Sequence, residues 1–261
     1  GEMDFSGKVS GTGALTLQPA TAGQNIVVGG TDNNTSALDL TAAEINLFQN
    51  GLSSLDIGRS DSSAQISIAS NLTFLDPVNI QGGTGIISVE GTLTGNDNSS
   101  IALNAATINL NSGINTNKNP LAINGNVQLG NDINLSTSGG DIKIIGAIDG
   151  NHLLNLDAAT GNVLVQGNIG GTAPLSVLNV TATQAAFNNG NIASNSGLNI
   201  AAGQTLLGGN VTTKQGNINI NGILRLTKDA TLSTAGGNIA FVGAIDSIDA
   251  AASLNLDSGG G

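Results

Sequence analysis

DINLSTSGGDIKIIGAIDG begins at Asp132, and DATLSTAGGNIAFVGAIDS begins at Asp229. The two stretches lie 97 residues apart (229 − 132) and share 11 of 19 letters. The echo runs upstream, where LAINGNVQL (121–129) aligns with INING and ILRL (218–226) at the same offset. It also runs downstream, where LNLD at 154–157 matches LNLD at 254–257 after a three-residue insertion. Two charged positions change between the copies, Asp141 to Asn238 and Lys143 to Ala240, while the three inner glycines, the Leu and the closing Asp stay. A duplicated catalytic site would keep its charges, so the duplicated object is a packing unit of strands and corners.

The same unit recurs throughout the chain as an apolar, any, apolar triplet followed by Gly, Asn, Asp or Ser. Instances are LTL (15–17), IVV (26–28), LDI (55–57), ISI (66–68), VNI (78–80), INL (108–110), VLV (163–165), LNI (198–200) and LRL (224–226). Alternation with period two between turn residues reads as half-buried strands. Three residues bury too little surface to offset the ordering of their own backbone, so such strands must stack on copies of themselves. A sandwich or barrel uses longer strands of roughly 5 to 6 residues joined by hairpin turns. The pattern therefore predicts an all-β, right-handed parallel β-helix (β-solenoid), with coils of roughly 20 to 29 residues and two or three strands in each.

Residues 1–261 read as one continuous β-solenoid, with super-repeat copies at about 121–157 and 218–257 and the 97-residue period between them equal to four or five coils. The second copy stops at SGGG where the first continues, which marks the chain as a fragment of a longer array. One segment breaks the rhythm: LTAAEINLFQNG, Leu40 to Gly51. Thr41 with Glu44 three residues on is a capping box, Leu40 and Ile45 stand as a hydrophobic staple, and Gly51 is a stop. This predicts one short α-helix near residues 42–49, with Ile45, Phe48 and Leu52 facing the solenoid.

Composition narrows the function. The chain has 38 Gly, 35 Asn, five Phe, one Met and no Trp, Tyr or Cys. A core must then be built from Leu, Ile, Val and Ala in thin layers, with Asn and Gly in tight turns. Charge is sparse and acidic, a net −11 from 18 acids and 7 Lys or Arg. Nucleic acid is excluded as a partner, because phosphate binding needs basic clusters and stacking aromatics. No apolar run approaches the ~20 residues that span a bilayer, so no transmembrane segment is expected. GEMDFSGKVSG at the start has neither the basic region nor the apolar run of a signal peptide.

A search for chemistry yields no catalytic, cofactor-binding or metal residue. Parallel β-helices host polysaccharide lyases and hydrolases, and Asp141 with Asp149, or Asp246 with Asp249, could supply two carboxylates. Sugar grip brings aromatic platforms and Arg, and here only Arg59 and Arg225 exist. His152 is the sole histidine, in the loop GNHLLNL, and reads as a loop residue. GNDNSS (95–100) and RSDSS (59–63) carry one acid each, short of the spacing that calcium repeats require, so no cofactor is expected beyond adventitious calcium. The pairs Gly139-Gly140 and Gly236-Gly237 are turns, since no phosphate-loop Lys follows. TAT (181–183) is the nearest approach to an ice-binding rank, and it does not recur every coil.

GTGALTLQPATAGQNIVVGG (11–30), LDLTAAEINLFQNGLSSLDIGRSD (38–61) and ISIASNLTFLDPVNIQ (66–81) resemble modules of the filamentous-haemagglutinin-like adhesins and related β-strand-repeat exoproteins of bacteria. GGDIKIIGAID (139–149) and GNIGGTAPLSVLNVTAT (167–183) resemble other modules of the same proteins. The resemblance implies a secreted or surface-attached, extracellular stalk or filament segment without catalysis. It also implies partners that are further copies of the chain or neighbouring solenoid repeats. The alternative is a module that binds cell-surface glycans through loops at 95–100, 113–120 and 188–197. The family's N-terminal secretion domain has no counterpart in these residues.

Overall fold

A computed structural model describes residues 3–32, 36–248 and 252–259. The protein is nearly all β: parallel strands stack as a β-solenoid of about 10 turns. Two compact units are present, Gly1–Gln128 and Leu129–Gly261.

In the second unit, three strand stacks make up each coil, and the register can be followed rung by rung. The first stack runs through Ile133, Leu154, Leu178, Leu198, Ile218 and Ile239. The next runs through Ile142, Val163, Ala185, Thr205, Leu224 and Ile245. The third runs through Ile148, Ile169, Ile192, Val211, Leu232 and Leu256. Except in the last coil, all of these side chains are buried. Alternation sends one side of each strand inward, and parallel stacking sets each aliphatic residue on its equivalent one coil away.

Rungs follow at about 21 residues, as from Ile133 to Leu154 and from Ile218 to Ile239, with longer steps of 24 from Leu154 to Leu178 and from Leu232 to Leu256. The 97-residue echo is therefore not a whole number of coils, and the two copies do not occupy the same sides. In the first copy, Ile133–Ser136, Ile142–Ile145 and Ile148–Asp149 lie in the first, second and third stacks. In the second copy the corresponding strands, Ala230–Thr234, Ile239–Val242 and Ile245–Ser247, lie in the third, first and second stacks. The duplicate is rotated by one side of the coil. Corners explain why this is tolerated: Thr137 donates its hydroxyl to the Gly140 carbonyl, and Thr234 does the same to Gly237. The same turn thus closes a strand of the first stack, Ile133–Ser136, and a strand of the third, Ala230–Thr234, so one strand-and-turn unit fits either side.

Strands are longer than the triplets suggest. Val177–Phe187, Gly197–Leu207 and Asn217–Leu226 each cover two sides without interruption, bending at the corner. At the bend Gly222 has φ +113, and a Cβ there would collide with the Ala202 carbonyl. Only glycine lets the chain turn that close to the coil beneath.

The first unit obeys the same rules with stacks Leu55, Val78, Ile101; Ile66, Ile87, Ile108; and Leu72, Leu93, Ile114. Its first coil is different. Strand Ile26–Gly30 pairs on one side with Gln65–Ile68, 40 residues ahead, and on the other with Leu38–Thr41, 12 residues ahead. The chain doubles back to cover its own free edge, and Leu38, Asp39 and Leu40 are buried there.

The helix expected near residues 42–49 exists only as Ala42–Ile45. Its start is as read: Glu44 N–H donates to Thr41 Oγ1 at 3.2 Å, and Thr41 N–H donates to Glu44 Oε2 at 2.8 Å. It stops after one turn because Val9 takes over the backbone. Val9 N–H donates to Leu47 O and Gln49 N–H donates to Val9 O, a strand-like bridge that a continuing helix could not make. Ile45, Phe48 and Leu52 are buried as expected, and Phe5 meets Phe48 edge to face at 5.3 Å. Ile45, Phe48 and Leu52, with Leu55 and Phe74, line a pocket of about 120 Å³.

Candidate functional site

The acidic, amide and hydroxyl groups that could carry chemistry are distributed along the coils, and most of them hold one coil to the next. Corner Asn and Asp side chains accept a backbone N–H from the following coil. Asn71 takes that of Thr92, Asp132 that of Leu153, Asp141 that of Asn162, Asn168 that of Asn191, Asn191 that of Asn210, and Asp229 that of Ser253, at 2.7–2.9 Å. An amide at a corner has no ladder partner of its own, so a short polar side chain below it removes an orphan donor.

Mid-strand Asn residues do something else. Asn79, Asn104 and Asn124 in the first unit, and Asn155, Asn179, Asn199 and Asn219 in the second, form side-chain ladders with Nδ2 donating to Oδ1 at 2.6–2.8 Å. The sequence reading placed Asn in tight turns. In the structure the corner Asn residues serve backbone amides, and the ladders run along the flat sides.

Where they are described, the carboxylates considered for sugar chemistry accept hydrogen bonds from the backbone. Asp149 is buried and accepts the amides of Thr172 and Ala173, while Asp141 accepts from the Asn162 amide and side chain. Asp246 accepts the amide of Ser247, and Asp249 lies outside the described residues. His152 is partly exposed with Nδ1 3.7 Å from Asp132 Oδ1, the carboxylate oxygen that also caps Leu153.

In RSDSS, Arg59 grips Asp61 through two hydrogen bonds of 2.9 Å. These bonds hold the Asp61 carboxyl below its ordinary range and push the Arg59 guanidinium above its own. In GNDNSS, Asp97 accepts from Asn50 Nδ2 and its carbonyl accepts from Asn119 Nδ2. Among the described residues no group of three or more His, Cys, Asp or Glu is placed to hold a metal ion. Thr181 faces Asp157 on one coil and Ala201 on the other, so no rank of threonines forms. Among the described residues no helix is long and apolar enough to cross a membrane.

Two of the three candidate binding loops contain strands. Residues 113–120 include Ile114–Asn115, and 188–197 include Ile192–Ser194, whose Ile192 and Ser194 point into the core. Gly and Asn on both sides masked these rungs in the sequence. Thr116 donates to Asn119 O, and Ser194 to Gly197 O at 3.0 Å, so each loop carries the corner turn seen elsewhere. The exposed concavity the sequence reading missed is a shallow groove of about 370 Å³ in the second unit. It is lined by Asn179, Thr181, Asn199, Ala201, Asn219 and Asn221, side chains that only the register brings together.

No protein-family model, curated protein or solved structure was found to match the chain.

Proposed function

We propose that the chain is a structural stalk or fibre segment of an extracellular bacterial adhesin or surface filament, with no catalytic role. The observation that carries this reading is the use of the polar groups: Asp132, Asp141, Asp149 and Asp229, and the Asn ladders, act as ties between coils. A surface whose carboxylates hold backbone amides serves cohesion along the stack, and repeated cohesion is what a load-bearing segment needs. The net charge of −11 suits an exposed segment that stays soluble among like surfaces. The test is immunogold labelling of cells with antibodies raised against this chain. Label along surface filaments is expected, and label confined to the cell interior would overturn the reading.

A glycan-binding module is the second reading, and the Asn-lined groove is the observation in its favour. Retention on a glycan array that is lost in Asn199→Ala would replace the stalk reading with this one.

A further inference from the structure

The pocket of about 120 Å³ in the Gly1–Gln128 unit lies where the one-turn helix Ala42–Ile45 and the segment after it meet strand Leu72–Phe74. Its five apolar wall residues, Ile45, Phe48, Leu52, Leu55 and Phe74, are 3–8% exposed, so the space lies inside the packing. Asn46, Thr73 and Leu75 are exposed and form the rim. The remaining lining residue is Asp76, the one charged group of the pocket, and it is 5% exposed. Asp76 Oδ1 accepts the Gly51 amide at 2.9 Å, whereas Oδ2 accepts no hydrogen bond from the described residues. Among those residues no Lys, Arg or His pairs with this carboxylate.

We propose that this pocket binds a small alkylammonium ion, its hydrocarbon part against the apolar walls and its ammonium on Asp76. Protein interiors leave few voids larger than a water molecule, and the walls of such a void forgo dispersion contacts that a ligand restores. A void of ~150 Å³ lined by Leu, Ile and Phe admits benzene. The pocket beside Phe74 is somewhat smaller and suits an apolar body of about four or five carbons. The carboxylate selects the head group. A carboxylate withdrawn from water is costly until a cation pairs with it, so an ammonium is favoured, a neutral isostere leaves Oδ2 without an ion partner, and an anion is repelled. The net charge of −11 also raises the concentration of cations around the chain. The site is built within residues 45–76, and the proposal stands independently of the stalk reading.

Titration of the methyl-labelled 261-residue chain with n-butylammonium and with n-butanol, followed by NMR, tests it. The expected result is a saturable shift of the Ile45, Leu52 and Leu55 methyl resonances by n-butylammonium, with an affinity at least ten-fold above that of the alcohol. Asp76→Asn keeps an acceptor for the Gly51 amide and removes the charge, so it should leave the ammonium bound no more tightly than the alcohol, with circular dichroism unchanged. Should that variant not fold, the comparison of ammonium with alcohol on the unaltered chain still decides. No saturable shift of these methyl groups, equal or tighter binding of n-butanol by the unaltered chain, or a preference for the ammonium that survives in Asp76→Asn would overturn the proposal.

Discussion

At the scale of single residues, position within a rung decides consequence more than residue type does. Ile144 is 1% exposed and stands on Val165 in the next coil. Ile144→Asp would bury a charge with no cation beside it in the stack, so we expect destabilisation of at least about 4 kcal/mol, read as a fall in the chemical unfolding midpoint. Thr205 is the reverse case. It occupies an aliphatic rung between Ala185 and Leu224, fully buried, and its Oγ1 has no hydrogen-bond partner. Thr205→Val removes that unsatisfied oxygen at nearly constant volume and should raise stability by about 1 kcal/mol in the same measurement. A loss instead would mean that the hydroxyl is satisfied in solution.

At the scale of elements, the corner carboxylate of Asp229 makes the attachment of one rung sensitive to pH. The Ser253 amide, hydrogen-bonded to Asp229, holds that carboxyl below its ordinary range. A lowered folded-state pKa contributes stability that is present above the unfolded value of about 3.9 and is lost as pH falls through the folded one. The last rung, Leu254–Asp257, should therefore loosen only in that acid range. Amide exchange at Ser253 is the direct measure, and Asp229→Asn should remove the pH dependence while keeping an acceptor.

The one-turn helix shows how far local signals reach. Thr41 and Glu44 made its start legible, because a capping box is a contact between neighbours in sequence. Its end was not legible, because the interruption comes from Val9, which no local pattern connects to Leu47 and Gln49.

At the scale of the whole molecule, the fold class was legible because stacking imposes the same alternation on every rung. Triplets such as LDI at 55–57 and LNI at 198–200 all lie in strands. Coil length was only bracketed, since corners vary from the tight Thr137 turn to the longer step between Leu154 and Leu178. The groove beside Asn199 was invisible for the same reason: it exists only once register sets Asn179 and Asn219 on either side. Rungs hidden among Gly and Asn, such as Ile192–Ser194, were read as loop because one buried Ile between turn residues carries no periodicity of its own.

The one-side rotation between the two copies of the Asp132 and Asp229 stretches bears on how such genes change length. If a strand with its closing turn can occupy any side of the coil, a duplication need not begin and end in phase with a full turn. Unequal recombination then has three admissible frames per turn where a strictly coil-periodic protein has one. Each out-of-phase event carries the outward-facing side chains to a new side, so a copying accident that preserves the core also redraws the pattern displayed to solvent.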